Sequence, residues 1–152
     1  MTNFSFARHF YRHIPILERR PSMSAVYDAD LLLFWTIILV ACKRHPVYYG
    51  LYSERIGHFR LLLGATLVKP IRSVSTLHAL LILCLWPGVA GKESEDPSWH
   101  YCGLAINSAM QMFLHHPNYP PHFDGFGESK GIEVNFSARA LTWIACFQTS
   151  IA

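Results

Sequence analysis

An all-α, single-domain fold of about five main helices, incomplete at its C-terminal end, is what this 152-residue chain predicts. Three observations carry that expectation. Apolar residues recur at helical rather than alternating spacing in several stretches. Two of those stretches, 31–43 and 74–86, are apolar nearly all round, as buried helices are. The breaks between stretches hold Pro, Gly and capping residues. Composition agrees, with 51% hydrophobic and 15% charged residues. A chain of this length buries roughly two thirds of its unfolded surface.

In chain order, residues 4–17 place Phe6, Phe10 and Ile14 on one side of a short helix that Pro15 stops. Residues 18–30 read as a loop. Asp28 or Asp30 then caps a helix over 31–43, with Lys43 and Arg44 at the end that the helix dipole favours for cations. His45-Pro46 breaks the chain. A third helix is predicted over 47–67. Tyr48, Tyr52, Phe59, Leu62, Leu63 and Leu67 line one side of it, and Glu54, His58 and Arg60 lie away. Its Gly50, Gly57 and Gly64 recur every seventh residue, which suggests close helix packing. Pro70 ends the element.

Residues 73–116 form the organising stretch. Ser73 or Ser75 caps a helix over 74–86 whose one polar side chain between Leu77 and Trp86 is His78, and Pro87-Gly88 stops it. A charged loop follows. A second helix starts at Asp96-Pro97-Ser98, with Pro in its first turn. Trp99, Cys102, Ile106, Ala109, Met110 and Phe113 share one face of it, opposite His100, Asn107 and Gln111. Residues 117–134 form a long Pro- and Gly-rich loop. The last helix starts at Asn135 or Ser137, with Phe136, Ala140, Trp143, Ile144, Phe147 and Ile151 on one face. That face still lacks a cover where the sequence stops, so exposed apolar surface is expected there.

The same residues carry a resemblance. Leu77, Ala79, Leu80 and Leu81, then Trp86, then Asp96 and Trp99, then Gly103, Leu104, Ala105 and Ile106, and finally Leu114 and His115 follow one order and spacing. This order resembles the regulatory middle region of fungal zinc-cluster transcription factors. Near the front, Phe10, His13, Pro15, Ile16 and Leu17 followed by the apolar run 32–41 are similar to the start of that region. Arg139, Trp143, Cys146 and Phe147 are similar to its later helix, with Ile144 where the family carries a second Trp. The likeness covers roughly residues 6–150, interrupted by the loop at 117–134. It implies transcription regulation in the nucleus, by binding rather than catalysis. It also implies protein partners or self-association and a small-molecule effector. The family's zinc sits in a separate six-cysteine cluster spaced C-x2-C-x6-C. This chain holds only Cys42, Cys84, Cys102 and Cys146 and no such spacing. DNA contact is therefore expected only through a missing domain, and no cofactor is expected in this chain. A truncated gene product without independent activity is the first alternative.

Other chemistries find little support. The net charge of +3 is mild, and the basic run Arg8, His9, Arg12, His13, Arg19 and Arg20 reads as a solvated face. The four thiols read as buried and free, which suits a reducing compartment. The N-terminus lacks an apolar secretory core. The run 31–42 is shorter than the roughly twenty residues of a membrane span. A small membrane-associated helical protein is thus the second alternative, and no membrane partner is expected. His100, His115, His116 and His122 do not match a recognised zinc spacing. Glu93, Glu95 and Asp96 lie in one loop with no facing carboxylate. Nucleophile-elbow, dinucleotide and phosphate-loop motifs are absent, so no enzyme is expected. Trp35, Trp86, Trp99, Trp143, Met110 and Met112 read as core.

Overall fold

The computed structural model describes residues 22–86, 96–116 and 136–151. Ser22 opens the first helix, α1 (Met23–Ala29), by accepting the backbone N–H of Ala25 at 3.1 Å. Residues 18–30, expected as a loop, therefore hold a short helix. Seven residues give too little periodicity to reveal it, but the Ser cap and the buried Val26 do. The expected helix over 4–17 lies outside the described residues.

Asp30 joins α1 to α2 (Leu31–Lys43). Its backbone N–H closes α1 on the Val26 carbonyl, while one carboxylate oxygen accepts from Leu33 N at 3.0 Å and so caps α2. The other oxygen accepts the Thr76 hydroxyl at 2.6 Å. One side chain thus ends a helix, starts the next and ties it to a helix 46 residues away. Asp30→Ala should remove a cap, worth about 1 kcal/mol. It also strands a buried hydroxyl, at about 1–3 kcal/mol. Urea denaturation is expected to show a loss of roughly 2–4 kcal/mol, with Asp30→Asn largely spared.

Pro46 forces a 3-10 turn at Pro46–Tyr48, which leads into α3 (Tyr49–Leu67). The predicted third helix is therefore 3-10 in its first turn. Tyr52, Phe59 and Leu63 are buried, and Tyr48, Ile56, Leu62 and Leu67 flank them. The glycines are a correction. A Cβ added at Gly50, Gly57 or Gly64 meets nothing within 4 Å. They lie on the exposed side of α3, and their spacing does not mark a helix contact. Gly57→Ala is then expected to stabilise the domain by up to about 1 kcal/mol, since the cost of helical glycine is removed and nothing clashes. A raised urea midpoint would show it.

Ser73 accepts from Thr76 N and starts α4 (Val74–Leu85). This helix is the centre of the core. From Thr76 to Leu83 every residue is buried, because α2, α5 (Ser98–Gln111) and α6 (Phe136–Ile151) all pack against it. Its all-round apolar sequence is what that position requires. Among the described residues, side chains from all six α-helices merge in one cluster, and no strand occurs. The extra helix beyond the expected five is α1. No single helix among the described residues is long and apolar enough to cross a membrane. The one pair that passes together, Leu31–Lys43 with Pro46–Leu67, is bent by 118°.

Candidate functional site

The site builds outward from α4. Leu77, Ala79, Leu80 and Leu81 are wholly buried there, and Trp86 is half-buried at its end. Asp96 accepts both the backbone N–H and the hydroxyl of Ser98, which starts α5 and holds the Asp96 carboxyl below its ordinary range. The helix then presents Tyr101, Cys102, Ala105, Ser108 and Ala109 to the core. Ile106 and Gly103 are half-buried, and a Cβ at Gly103 would meet nothing within 4 Å. At the far end Leu114 is buried and donates its N–H to Ala109 O at 3.0 Å.

Trp99, expected in the core, is 81% exposed, and Phe147, on the face expected to lack a cover, is 54% exposed. Met110 on α5 and Phe113 just beyond it are also exposed, so the buried face is turned about a quarter of a turn from the one the sequence predicts. The reason is size. Ala105, Ser108 and Ala109 let the backbone of α5 come close to α4, and a Trp or Met there would hold it off. The same happens on α6, where Thr142, Ala145 and Cys146 are buried while Leu141, Ile144 and Phe147 face out. The expected exposed apolar surface is therefore present at Ile144 and Phe147. Trp143 is half-buried against the core, and the side chains of Phe136 and Ile151 lie outside the described residues.

Polar groups inside the packing are tied to each other. His78 on α4 shares a hydrogen bond of 2.9 Å with the Thr142 hydroxyl on α6. Burial drives its pKa from 6.5 down to about 4, against the pull of the Asp30 carboxylate. The imidazole is thus neutral near pH 7. Three thiols gather where α4, α5 and α6 meet. Burial, reinforced by the neighbouring thiols, pushes Cys84 up to about 12 and Cys146 up to about 11, and burial raises Cys102. Cys84 donates to the Ser98 carbonyl at 3.5 Å. Protonated, buried thiols are poor nucleophiles and poor metal ligands. Among the described residues no group of three His, Cys, Asp or Glu side chains is placed to hold a metal ion. His122, one of the four histidines weighed for that role, lies outside the described residues.

One feature escaped the sequence reading. Aromatic rings form a row from the end of α5 across α6. Phe113 stacks on His115 at 6.2 Å, His115 meets Trp143 at 5.6 Å, and Trp143 meets Phe147 edge-on at 5.1 Å. Arg139 donates to the Phe113 carbonyl at 3.2 Å beside it. Buried there without hydrogen-bond partners are His115 Nδ1 and Arg139 Nε. Phe113 holds φ at 55°, a left-handed conformation that glycine usually supplies at helix ends. The row joins residues 34 positions apart in sequence, from 113 to 147, so no local pattern announces it.

A helical core tied by internal hydrogen bonds, with an aromatic row on its surface, defines an all-α domain organised for packing contacts. The chain belongs to the family described as the fungal specific transcription factor domain, whose pattern matches residues 5–149. It is similar to the putative transcription factor SEF1 of Kluyveromyces lactis, 31% identical over 144 residues, covering 93% of this chain and 12% of that protein. It is also similar to the transcriptional activator of proteases prtT of Aspergillus niger, 31% identical over 122 residues, covering 77% and 19%. To the regulatory protein LEU3 of Saccharomyces cerevisiae it is 22% identical over 156 residues, covering 93% and 17%. The chain therefore spans less than a fifth of the length of each of these relatives. No solved structure matches it.

Proposed function

We propose that this chain acts in transcription regulation, in the nucleus, as the regulatory region of a fungal zinc-cluster factor, and that it works by binding rather than catalysis. The observation that carries this is the family match over 5–149. Supporting it, the signature residues Leu77, Ala79, Leu80, Leu81 and Ala105 build the α4–α5 packing. That gives the family's pattern a physical content, namely a stable helical scaffold for contacts. The relatives are named as transcription factors and regulators, and the reading takes protein partners and a small-molecule effector from that class. DNA contact is assigned to a separate zinc-cluster domain, since these 152 residues hold four cysteines and none in that spacing.

Fusion to an unrelated DNA-binding domain tests the reading in a fungal nucleus. The fusion is expected to change expression of a reporter carrying that domain's site, up or down. A core variant, Leu80→Asp, should abolish the change. In a gel shift at physiological salt the isolated chain should show only weak, sequence-independent DNA binding. A silent fusion that is well folded, or tight sequence-selective DNA binding by the chain alone, would overturn the proposal.

A further inference from the structure

The domain covers only one side of α3. This helix packs on α2 and on the turn before it, burying Tyr52, Phe59 and Leu63. Along its other side run Leu51, Glu54, His58, Leu61, Ala65 and Val68, in alternating steps of three and four residues. All six are exposed, and Leu61 and Val68 are 74% and 87% exposed. That alternation is the one with which a helix seats a second helix along its length. The stripe marks this face, and the glycines beside it, which no neighbour in the domain approaches, do not.

Charge names the occupant. Between residues 43 and 72 the chain carries Lys43, Arg44, Arg55, Arg60, Lys69 and Arg72 against one acid, Glu54. The whole chain is far better balanced, with 13 basic and 10 acidic side chains. Arg55 borders the stripe, Arg60 stands across it and Lys69 follows its end, all three exposed. Glu54 lies 3.5 Å from the Arg55 guanidinium, which leaves the surplus positive. Two copies of this face would set positive rim against positive rim. A lipid surface fits poorly, because Glu54 sits mid-stripe and bedding it among acyl chains would desolvate a carboxylate. Against another helix, the polar pair Glu54 and His58 instead fixes the register. We infer that the outward face of α3 binds an acidic amphipathic helix of a partner protein. The apolar ridge of that helix lies along Leu51, Leu61 and Val68, and its carboxylates meet Arg55, Arg60 and Lys69. The inference stands on exposure and charge and not on the transcriptional reading, so a silent reporter fusion would leave it intact.

Fluorescence anisotropy of the whole chain against two labelled synthetic helices tests it. Each probe runs about three heptads with Leu at the a and d positions, flanked by Glu in one and Lys in the other, so that like charge keeps each from pairing with itself. The acidic probe should bind with a dissociation constant of about 1–100 µM. Its binding should weaken about tenfold between roughly 0.05 and 0.5 M salt. The basic probe should bind at least about thirtyfold less well. Leu61→Glu and Val68→Glu should each raise the dissociation constant about tenfold or more. Arg60→Glu combined with Lys69→Glu should reverse the preference, toward the basic probe. All four side chains already face solvent, so circular dichroism and melting temperature should be kept. Ile144→Glu, exposed on α6, should leave binding unchanged. No binding of the acidic probe, equal binding of both probes, indifference to Leu61→Glu, or binding only to vesicles of phosphatidylserine and phosphatidylcholine would each overturn the inference.

Discussion

Leu81→Ala should cost the domain about 3–5 kcal/mol, whereas Trp99→Ala should cost under about 1 kcal/mol. Leu81 is fully buried on the helix that α2, α5 and α6 surround. Truncating it removes apolar contact on several sides and leaves a cavity that rigid neighbours cannot close. A loss of that size is a large part of the roughly 5–15 kcal/mol that holds a typical domain together. Trp99 is the larger residue, and read from its spacing alone it opens the buried face of α5. With 81% of its surface in solvent, it has little contact to lose. Chemical denaturation of both variants checks the pair. Equal losses would show that Trp99 packs and that α5 is rotated relative to the face described here.

That contrast shows what was legible in the sequence. Helix limits were. Asp30 and Ser73 make the cap hydrogen bonds their side chains suggest, and Pro46 marks the entry to α3. The role of α4 was legible too, because a helix without a polar side fits only where neighbours cover all of it. Helix rotation was not. Hydrophobic pattern weights the large residues, so Trp99, Met110, Ile144 and Phe147 dominate the periodicity of α5 and α6. The contacts are instead made by Ala105, Ser108, Ala109, Thr142, Ala145 and Cys146, which a hydrophobicity scale ranks low and close packing favours. Among the signature positions, Leu77, Ala79, Leu80 and Leu81 lie in the core because α4 is covered on all sides, whereas Ala105 is buried by the particular rotation of α5. Trp99 and Phe147 depend on rotation, and they are exposed. The polar ties were invisible for another reason: Asp30 and Thr76, or His78 and Thr142, are joined only by the tertiary fold.

The second large effect follows from the His78–Thr142 tie. Acid should weaken this domain through one side chain. His78 is 8% exposed, and burial lowers its pKa from 6.5 to about 4, the Asp30 carboxylate offsetting part of that. The unfolded chain therefore takes up this proton at a higher pH than the folded one. The neutral imidazole's contribution to stability is full above about pH 6.5, declines as pH falls, and is exhausted near pH 4. Integrated over that window, the drop amounts to roughly 3 kcal/mol. His78→Gln keeps a side chain able to bond Thr142 and cannot titrate. Its stability should fall much less than that of the wild type between pH 6.5 and 4, so the two curves converge in acid. Thr142→Val should weaken the domain at pH 7 by about 1–3 kcal/mol, since it strands a buried imidazole nitrogen. Urea midpoints measured at half-unit pH steps decide the matter: wild-type and His78→Gln curves that stay parallel across the window would place the acid sensitivity elsewhere.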